Sequence, residues 1–583
     1  MISVAEADRV LTAAGQPFEV IGSVIQGRPM RVWKNCPATL RDILMASRSF
    51  GDSAFLVYED ERVSFEDHFR ACARLAHVLR GDFGVGQGDR VAIAMRNYPE
   101  WSLAFWAIAA CGAVAVPLNA WWTGEELEYG LSDSGSTLVF ADADRAERIQ
   151  SRRKALPDLR TVVVARVDDH GGLPSGDVRL RTLLGPVPAD VTLPDIELGP
   201  DDNATIFYTS GTTGRPKGAL GTHRNICGNP VGLAYVAART EYRIAAEALE
   251  RGQTPPEPPL GRAATLLSVP FFHVTGCHSV LVANALNGGT LVMMHRWDPA
   301  RALELIERER ITGFGNVPAM VMQVLDHPDF ATRDTSSVRF DSYGGAPAPP
   351  ALVRRIVAAF PGSTPANGYG MTETSALSAM NAGPEYLAKP ESVGPPVPVV
   401  DVKVVGPTGE TLPTGEAGEL WIYGPNVVQG YWGKVQETAA TFSDGWVHTG
   451  DVARLDDERF VYIVDRTKDM LIRGGENIYC VEIEAVLFGH PAVADCAVIG
   501  IPHPTLGEEP GAVVQVRPGR GVTEAELQAE VAARLAAFKV PVRVWMVDQP
   551  LPRSAAGKIV KHQLRDELIG TAGLGANSAG NFS

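Results

Sequence analysis

The sequence has little that would tie it to an oxidising compartment, a polyanion or a bilayer. Its 583 residues include seven cysteines, an odd number at wide spacing with no CxxC pair. That pattern supports no disulfide framework, zinc site or redox dithiol, and a reducing cytoplasm is the expected setting. Basic residues do not predominate: 53 Lys and Arg stand against 68 Asp and Glu, a formal charge of -15. Nucleic-acid binders carry a basic excess or a dense basic patch, so no nucleic-acid partner is expected. The opening MISVAEADRV carries acids and no basic stretch ahead of an apolar core, so no signal peptide is read. Long hydrophobic runs are also scarce. The exception, Trp101 to Trp122, is uncharged, but Pro117 and Asn119 interrupt it. The break comes after about sixteen residues, about 24 Å of helix, short of the roughly 20 residues that span a bilayer. It reads as a buried helix over Trp101–Cys111 and a strand through Val114–Val116, and no transmembrane segment is expected.

What is present is an ordinary globular composition, 45% hydrophobic and 21% charged. Strand-like runs alternate with helical patterns: Arg90–Arg96, Thr137–Asp142 and Thr290–Met294 each precede a helix. After the last of these, Asp298 is placed to cap, and Leu303 and Ile306 to face inward. This alternation predicts an α/β fold with parallel sheets. Short strands at Val402–Val405, Gly418–Tyr423 and Phe460–Val464, separated by turn residues, predict an antiparallel, barrel-like subdomain. Beyond Asp465–Asp469 the pattern changes to a small α+β unit. It has a helix from Val481, a strand in AVIGI, a strand at Val513–Val516, a helix over Glu524–Phe538 and a strand at Val542–Val547. The expected division is a large N-terminal domain over 1–465 and a C-terminal domain over 469–570, followed by a disordered tail at 571–583. Val167–Asp202 and the Pro-dense Gly252–Gly261 read as loops.

The strongest motif is Tyr208-Thr-Ser-Gly-Thr-Thr-Gly-Arg-Pro-Lys-Gly218, directly after the apolar run Ala204–Tyr208. Three glycines and four small hydroxyl side chains can wrap backbone N–H groups and hydroxyls around phosphate, and Lys217 adds positive charge. It is not a Walker A loop, because GxxxxGK[ST] is absent. Further motifs follow in order: Phe271-Phe-His-Val-Thr-Gly276, Tyr343-Gly-Gly-Ala-Pro347, Asn367-Gly-Tyr-Gly-Met-Thr-Glu-Thr374, Trp446-Val-His-Thr-Gly-Asp451, Asp465-Arg-Thr-Lys-Asp469 with Arg473-Gly-Gly-Glu476, and Leu551-Pro-Arg-Ser-Ala-Ala-Gly-Lys558. Together these strings resemble the acyl-CoA synthetases of the adenylate-forming superfamily, over roughly Thr39 to Leu568.

The resemblance implies an AMP-forming acid–thiol ligase using ATP, Mg²⁺ and coenzyme A. A carboxylate attacks the α-phosphate to give acyl-AMP and pyrophosphate, and the CoA thiol then displaces AMP. By the same resemblance, Thr209, Ser210, Gly211, Thr212, Thr213, Gly214 and Lys217 hold phosphates. Gly344, Gly345, Ala346 and Pro347, with Asn367, Gly368, Tyr369 and Gly370, frame the adenine, on which Tyr369 stacks. Thr372 contacts phosphate, and Glu373 holds Mg²⁺ with help from Thr209. Asp451 takes the ribose hydroxyls, assisted by Arg466. His273 lines the acyl pocket near the carboxylate, and Cys277 stands where some long-chain members carry a bulky gate. Lys468 lies in a hinge at 466–468, Gly474, Gly475 and Glu476 approach the pantetheine after domain rotation, and Lys558 serves the α-phosphate. Cys480 replaces the usual Pro or Ser. The acid pocket is expected from His273, Thr312–Pro318 and Tyr343–Gly345, and its apolar surroundings suit a medium- or long-chain fatty acid. The alternatives are an aryl or steroid-like acid, a ligase loading a carrier protein, a luciferase-like oxygenase, or a catalytically silent nucleotide-binding protein. A homodimer is compatible with the sequence.

Overall fold

The computed structural model describes the chain except residues 1, 168–171, 210–214, 257–260, 315–317, 345–349, 467–468, 474–475, 555–556 and 571–583, and except the side chains of 319, 350, 351, 466, 476, 477 and 570. Two large sheets dominate the N-terminal domain. One runs Lys217–Thr222, Asn203–Thr209, Val114–Pro117, Arg90–Ala94, Leu138–Asp142, Thr161–Ala165, Val178–Arg179. Its neighbours are parallel except the first pair, a hairpin-like antiparallel edge. The second has eight strands, including Ala264–Leu267, Gly313–Phe314, Phe340–Gly344 and Thr364–Tyr369 side by side and parallel. Parallel strands need crossover connections, and the helices supply them.

The local signals for those helices hold. Asp298 accepts a hydrogen bond from the Arg301 N–H at 2.8 Å, capping the helix Pro299–Arg308, and Leu303 and Ile306 are fully buried. The uncharged run forms the helix Pro99–Ala110, with every residue from Trp101 to Ala110 buried. Trp101, Phe105 and Trp106 share one core with Val91 and Phe140 of the first sheet and Leu56 and Leu291 of the second. At about 1.5–3 kcal/mol for each large apolar side chain buried, this core accounts for the run's hydrophobicity. Among the described residues no helix is long and apolar enough to cross a membrane.

A five-stranded antiparallel sheet follows, from Asp401–Val405, Gly418–Tyr423, Phe442–Ser443, Trp446–Leu455 and Val461–Arg466. The C-terminal domain holds another five-stranded sheet, centred on the paired strands Val493–His503 and Gly507–Val516. Three details differ from the sequence-based expectations. The strand expected at Phe460–Val464 runs Val461–Arg466. The stretch Val167–Asp202 contains the strand Val178–Arg179 and the helix Leu180–Leu184, anchored by the buried Leu180. The helix from Glu524 ends at Ala532 rather than Phe538. Leu527, Val531, Leu535 and Phe538 keep a helical spacing, which is why one helix was expected. The chain instead turns extended at Ala536 and lays Arg543–Val547 parallel to Gly507–Val516. Leu535 and Phe538 still pack on the same core, so strand pairing outweighs local periodicity. In the Pro-dense segment Gly252–Thr254 are exposed, while 257–260 lie outside the described residues. So does the tail 571–583.

Candidate active site

Strands of both large sheets end at one connected cleft of about 3410 Å³, which the antiparallel sheet and the C-terminal domain also line. Open α/β sheets place their ligands at such carboxyl ends. Thr209 closes one strand and faces Lys217 across the antiparallel pair. Ser210, Gly211, Thr212, Thr213 and Gly214 lie outside the described residues. The Lys217 ammonium sits 5.1 Å from the centre of the Tyr431 ring. The Tyr431 hydroxyl in turn donates to Glu373 Oε1 at 2.6 Å.

Glu373 is buried on the single turn Thr372–Thr374 that follows the strand Thr364–Tyr369. Burial raises its pKa, while the Tyr431 hydroxyl and the positive charges of Lys217 and Lys558 pull it back down. A buried carboxylate under this desolvation cost, with the Thr209 hydroxyl lining the same cleft, suits a hard cation that keeps most of its ligands on water and substrate phosphate. The turn is strained: Ser375 and Ala376 adopt φ of 52° and 88°, conformations that cost non-glycine residues about 1–3 kcal/mol each. The Asn229 amide donates to the Ser375 carbonyl at 3.0 Å, holding the turn in place. Gly370 allows the tight closure, because a Cβ there would fall 1.3 Å from the Ala376 carbonyl oxygen.

Also in the cleft, the Tyr369 hydroxyl donates to Asp451 Oδ2 at 2.6 Å. Asp451 lies on Trp446–Leu455 directly opposite Arg466 on Val461–Arg466, so sheet register brings these two residues together; the Arg466 side chain is not described. Gly344 and Gly368 are cross-strand partners. A Cβ on Gly344 would meet the Gly368 carbonyl oxygen at 2.6 Å, so glycine at 344 permits the close approach of the two strands next to Tyr369. Asn367, Gly370 and Thr372 line the same cleft. Gly345, Ala346 and Pro347 lie outside the described residues.

His273 is half-buried and lines the cleft, and its Nε2, itself buried, has no hydrogen-bond partner. Burial, reinforced by Lys558, lowers its pKa to about 4, so the ring is neutral near pH 7. The chain then enters a π-helix, Thr275–Val282, where Cys277 is fully buried. Thr312, Gly313, Phe314, Pro318, Tyr343 and Gly344 all line the cleft; 315–317 lie outside the described residues. Lys558 enters from the C-terminal domain, close enough to bear electrostatically on both His273 and Glu373. Lys468, Gly474 and Gly475 lie outside the described residues. The backbone of Glu476 pairs with Arg473 in the C-terminal sheet, and its side chain is not described. Cys480 opens the helix Cys480–Phe488, where the Asp465 carboxylate accepts from its N–H.

Tyr431 is a cleft residue in contact with Glu373 that the motifs did not flag. Its sequence signal is an aromatic pair between two glycines, Gly430-Tyr-Trp-Gly433, both of positive φ, which alone reads as a turn.

Residues 45–432 match the family described as AMP-binding enzyme, and residues 482–558 match the AMP-binding enzyme C-terminal domain. A feruloyl-CoA synthase of an Amycolatopsis species is 37% identical over 503 residues, covering 86% of this chain and 93% of the relative. The long-chain-fatty-acid–CoA ligase FadD13 of Mycobacterium tuberculosis is 35% identical over 512 residues, covering 88% and 94%. The solved structure of the anthranilate CoA ligase AuaEII in complex with anthranoyl-AMP superposes with a TM-score of 0.79 at 27% identity, covering 92% of this chain and 98% of the other.

Proposed function

The chain belongs to the AMP-binding enzyme family, and from that premise we propose an acid–CoA ligase that acts on a medium- or long-chain fatty acid through two successive arrangements of its domains. Acid–CoA ligase activity is supported by relatives named as a feruloyl-CoA synthase and a long-chain-fatty-acid–CoA ligase. In the first step the substrate carboxylate attacks the α-phosphorus, the bond to pyrophosphate breaks, and acyl-AMP forms. No protein nucleophile is needed, so the chain's part is alignment and charge neutralisation. Lys558 stabilises the charge developing at the α-phosphate. Thr209, Lys217 and the 210–214 segment hold the outer phosphates, and Thr372 adds a hydroxyl. Tyr369 and the glycines at 344 and 368 take the adenine, and Asp451 with Arg466 takes the ribose. Glu373 and Thr209 hold Mg²⁺, which, when bound, neutralises phosphate charge. Neutral His273 offers its buried Nε2 to the acyl end.

In the second step the CoA sulfur attacks the acyl carbonyl and AMP leaves. The reading places a hinge at Lys468, which withdraws Lys558 and brings Gly474–Glu476 to the cleft. The strand before the hinge pairs within the N-terminal domain and Leu471–Arg473 pairs within the C-terminal one, which supports a pivot of a few residues.

The observation that carries the reading is the convergence of Lys558, His273 and Glu373 from separate elements onto one cleft. The fatty-acid reading is supported by the wall chemistry. Ala234, Ala238, Val269, Val280 and Phe314 line the cleft. The Thr265 and Ser279 hydroxyls beside these side chains already donate to Asn284 and Asn229. An aryl acid is the second reading, favoured by the small alanine side chains of the helix His223–Glu250, which leave width for a ring. The test offers ATP, CoA and a panel of fatty, aryl and steroid-like acids, reading pyrophosphate and thioester. Lys558→Ala is expected to abolish acid-dependent pyrophosphate release yet still convert supplied acyl-AMP and CoA to thioester. Survival of both halves in that variant overturns the mechanism, and preferential turnover of aryl acids overturns the fatty-acid reading.

A further inference from the structure

Lys558 closes a tight turn that begins at Ser554. The Gly557 N–H donates to the Ser554 carbonyl at 2.8 Å, and the Ser554 N–H donates to the Lys558 carbonyl at 2.8 Å. The Lys558 N–H reaches Ser554 Oγ at 3.3 Å. Gly557 takes the left-handed φ of 76° that such a turn demands. Arg553 and Ile559 close the base as an antiparallel bridge. These contacts fix the turn internally, but they do not fix where it stands on the domain.

Arg553 does that. One arm of its guanidinium donates to the Gly557 carbonyl, the peptide directly before Lys558, and the other pairs with Asp495. Asp495 sits at a bulge in the strand Val493–His503, where the register against Gly507–Val516 shifts; bulges re-aim side chains in this way. Its second oxygen accepts from the Cys496 N–H at 3.0 Å, which fixes the carboxylate. The side chains of Arg553 and Asp495 are 26% and 15% exposed, so this charge-assisted pair is only partly screened. Beyond the turn, Lys561 pairs with Glu484 at 2.7 Å, and Glu484 also accepts from the Val498 N–H at 2.7 Å. The segment is thus gripped on both flanks, and among the described residues the Arg553 side chain bonds to the turn itself.

We propose that Arg553, backed by Asp495, is a positioning residue for adenylation: it sets the direction from which Lys558 enters the cleft. The inference rests on the ligase reading above. A misplacement of about 1 Å in a catalytic group can cost about a hundredfold in rate. Because Lys558 serves only the first half-reaction, the loss falls on that half alone.

The test measures acid-dependent pyrophosphate release and, separately, thioester formation from supplied acyl-AMP and CoA. Arg553→Ala is expected to lower kcat of the first half by about a hundredfold, with KM for ATP and acid within about twofold and the second half unchanged. Arg553→Lys keeps a cation for Asp495 and recovers part of the loss; Asp495→Asn falls between the two. The retained second half also reports that each variant is folded. Wild-type pyrophosphate release in Arg553→Ala, or an equal fall in both halves, overturns the proposal. Failure of the underlying ligase reading looks different: the unmodified protein itself then gives no acid-dependent pyrophosphate.

Discussion

Asp341 offers a quantitative test of the core beneath the site. It lies on the strand Phe340–Gly344, whose Ser342 and Gly344 line the cleft. Asp341 itself is fully buried, and neither carboxylate oxygen has a hydrogen-bond partner. Burial alone raises its pKa from 3.8 to about 8, because nothing nearby compensates a charge there. The unfolded chain releases this proton near pH 4. Between those values the folded state holds a proton that the unfolded state has lost. Stability therefore falls with rising pH across that window, by about 1.4 kcal/mol per unit, and levels off above about pH 8. From about pH 5.5 to about pH 8 the loss is on the order of 3 kcal/mol. Asp341→Asn has nearly the same shape and does not titrate. Its amide is also unpaired, but at a cost independent of pH. The stability difference between variant and parent should therefore move by about 3 kcal/mol in favour of asparagine over that range. Urea unfolding of both proteins at several pH values, followed by tryptophan fluorescence, gives the difference directly. A difference that stays constant with pH would refute the reasoning.

Other outcomes follow from the same geometry. Tyr431→Phe removes the hydroxyl that helps keep buried Glu373 ionised. Pyrophosphate release should slow, need more Mg²⁺, and show an acid limb displaced to higher pH; a profile that drops without moving counts against the metal role. His273 has a pKa of about 4, so it does not titrate between about pH 5 and pH 8. His273→Gln should raise KM for the acid while leaving the shape of the rate profile in that range unchanged; loss of an inflection near pH 6 in the variant would show that the ring does titrate there.

Much of the architecture was legible in the chain. Asp298 before a periodic helix, the strand runs Arg90–Arg96 and Thr290–Met294, and the shift to a small α+β unit after Asp465 are all local signals. They work because capping, burial periodicity and turn chemistry act within windows of ten residues or so. The ordered glycine- and hydroxyl-rich motifs identified the family for a similar reason: a loop that must pass close to a phosphate or a flat ring tolerates few residue types, and so carries its constraint in its own sequence.

Only the tertiary structure decided the rest. Tyr431 reaches Glu373 across 58 positions of sequence, and Asp451 meets Arg466 because two strands pair in one register and not the next. Arg553 finds Asp495 only because a bulge turns that carboxylate toward it. The helix from Glu524 stops at Ala532, against its own periodicity, because the following strand pairs with Gly507–Val516. Asp341 looks from sequence like any strand-end carboxylate, and its isolation is a property of the core around it. A chain segment specifies its own backbone preferences and which of its faces is apolar. Which distant segment meets that face is settled by the summed burial and pairing of the whole domain, and no window of sequence contains that sum.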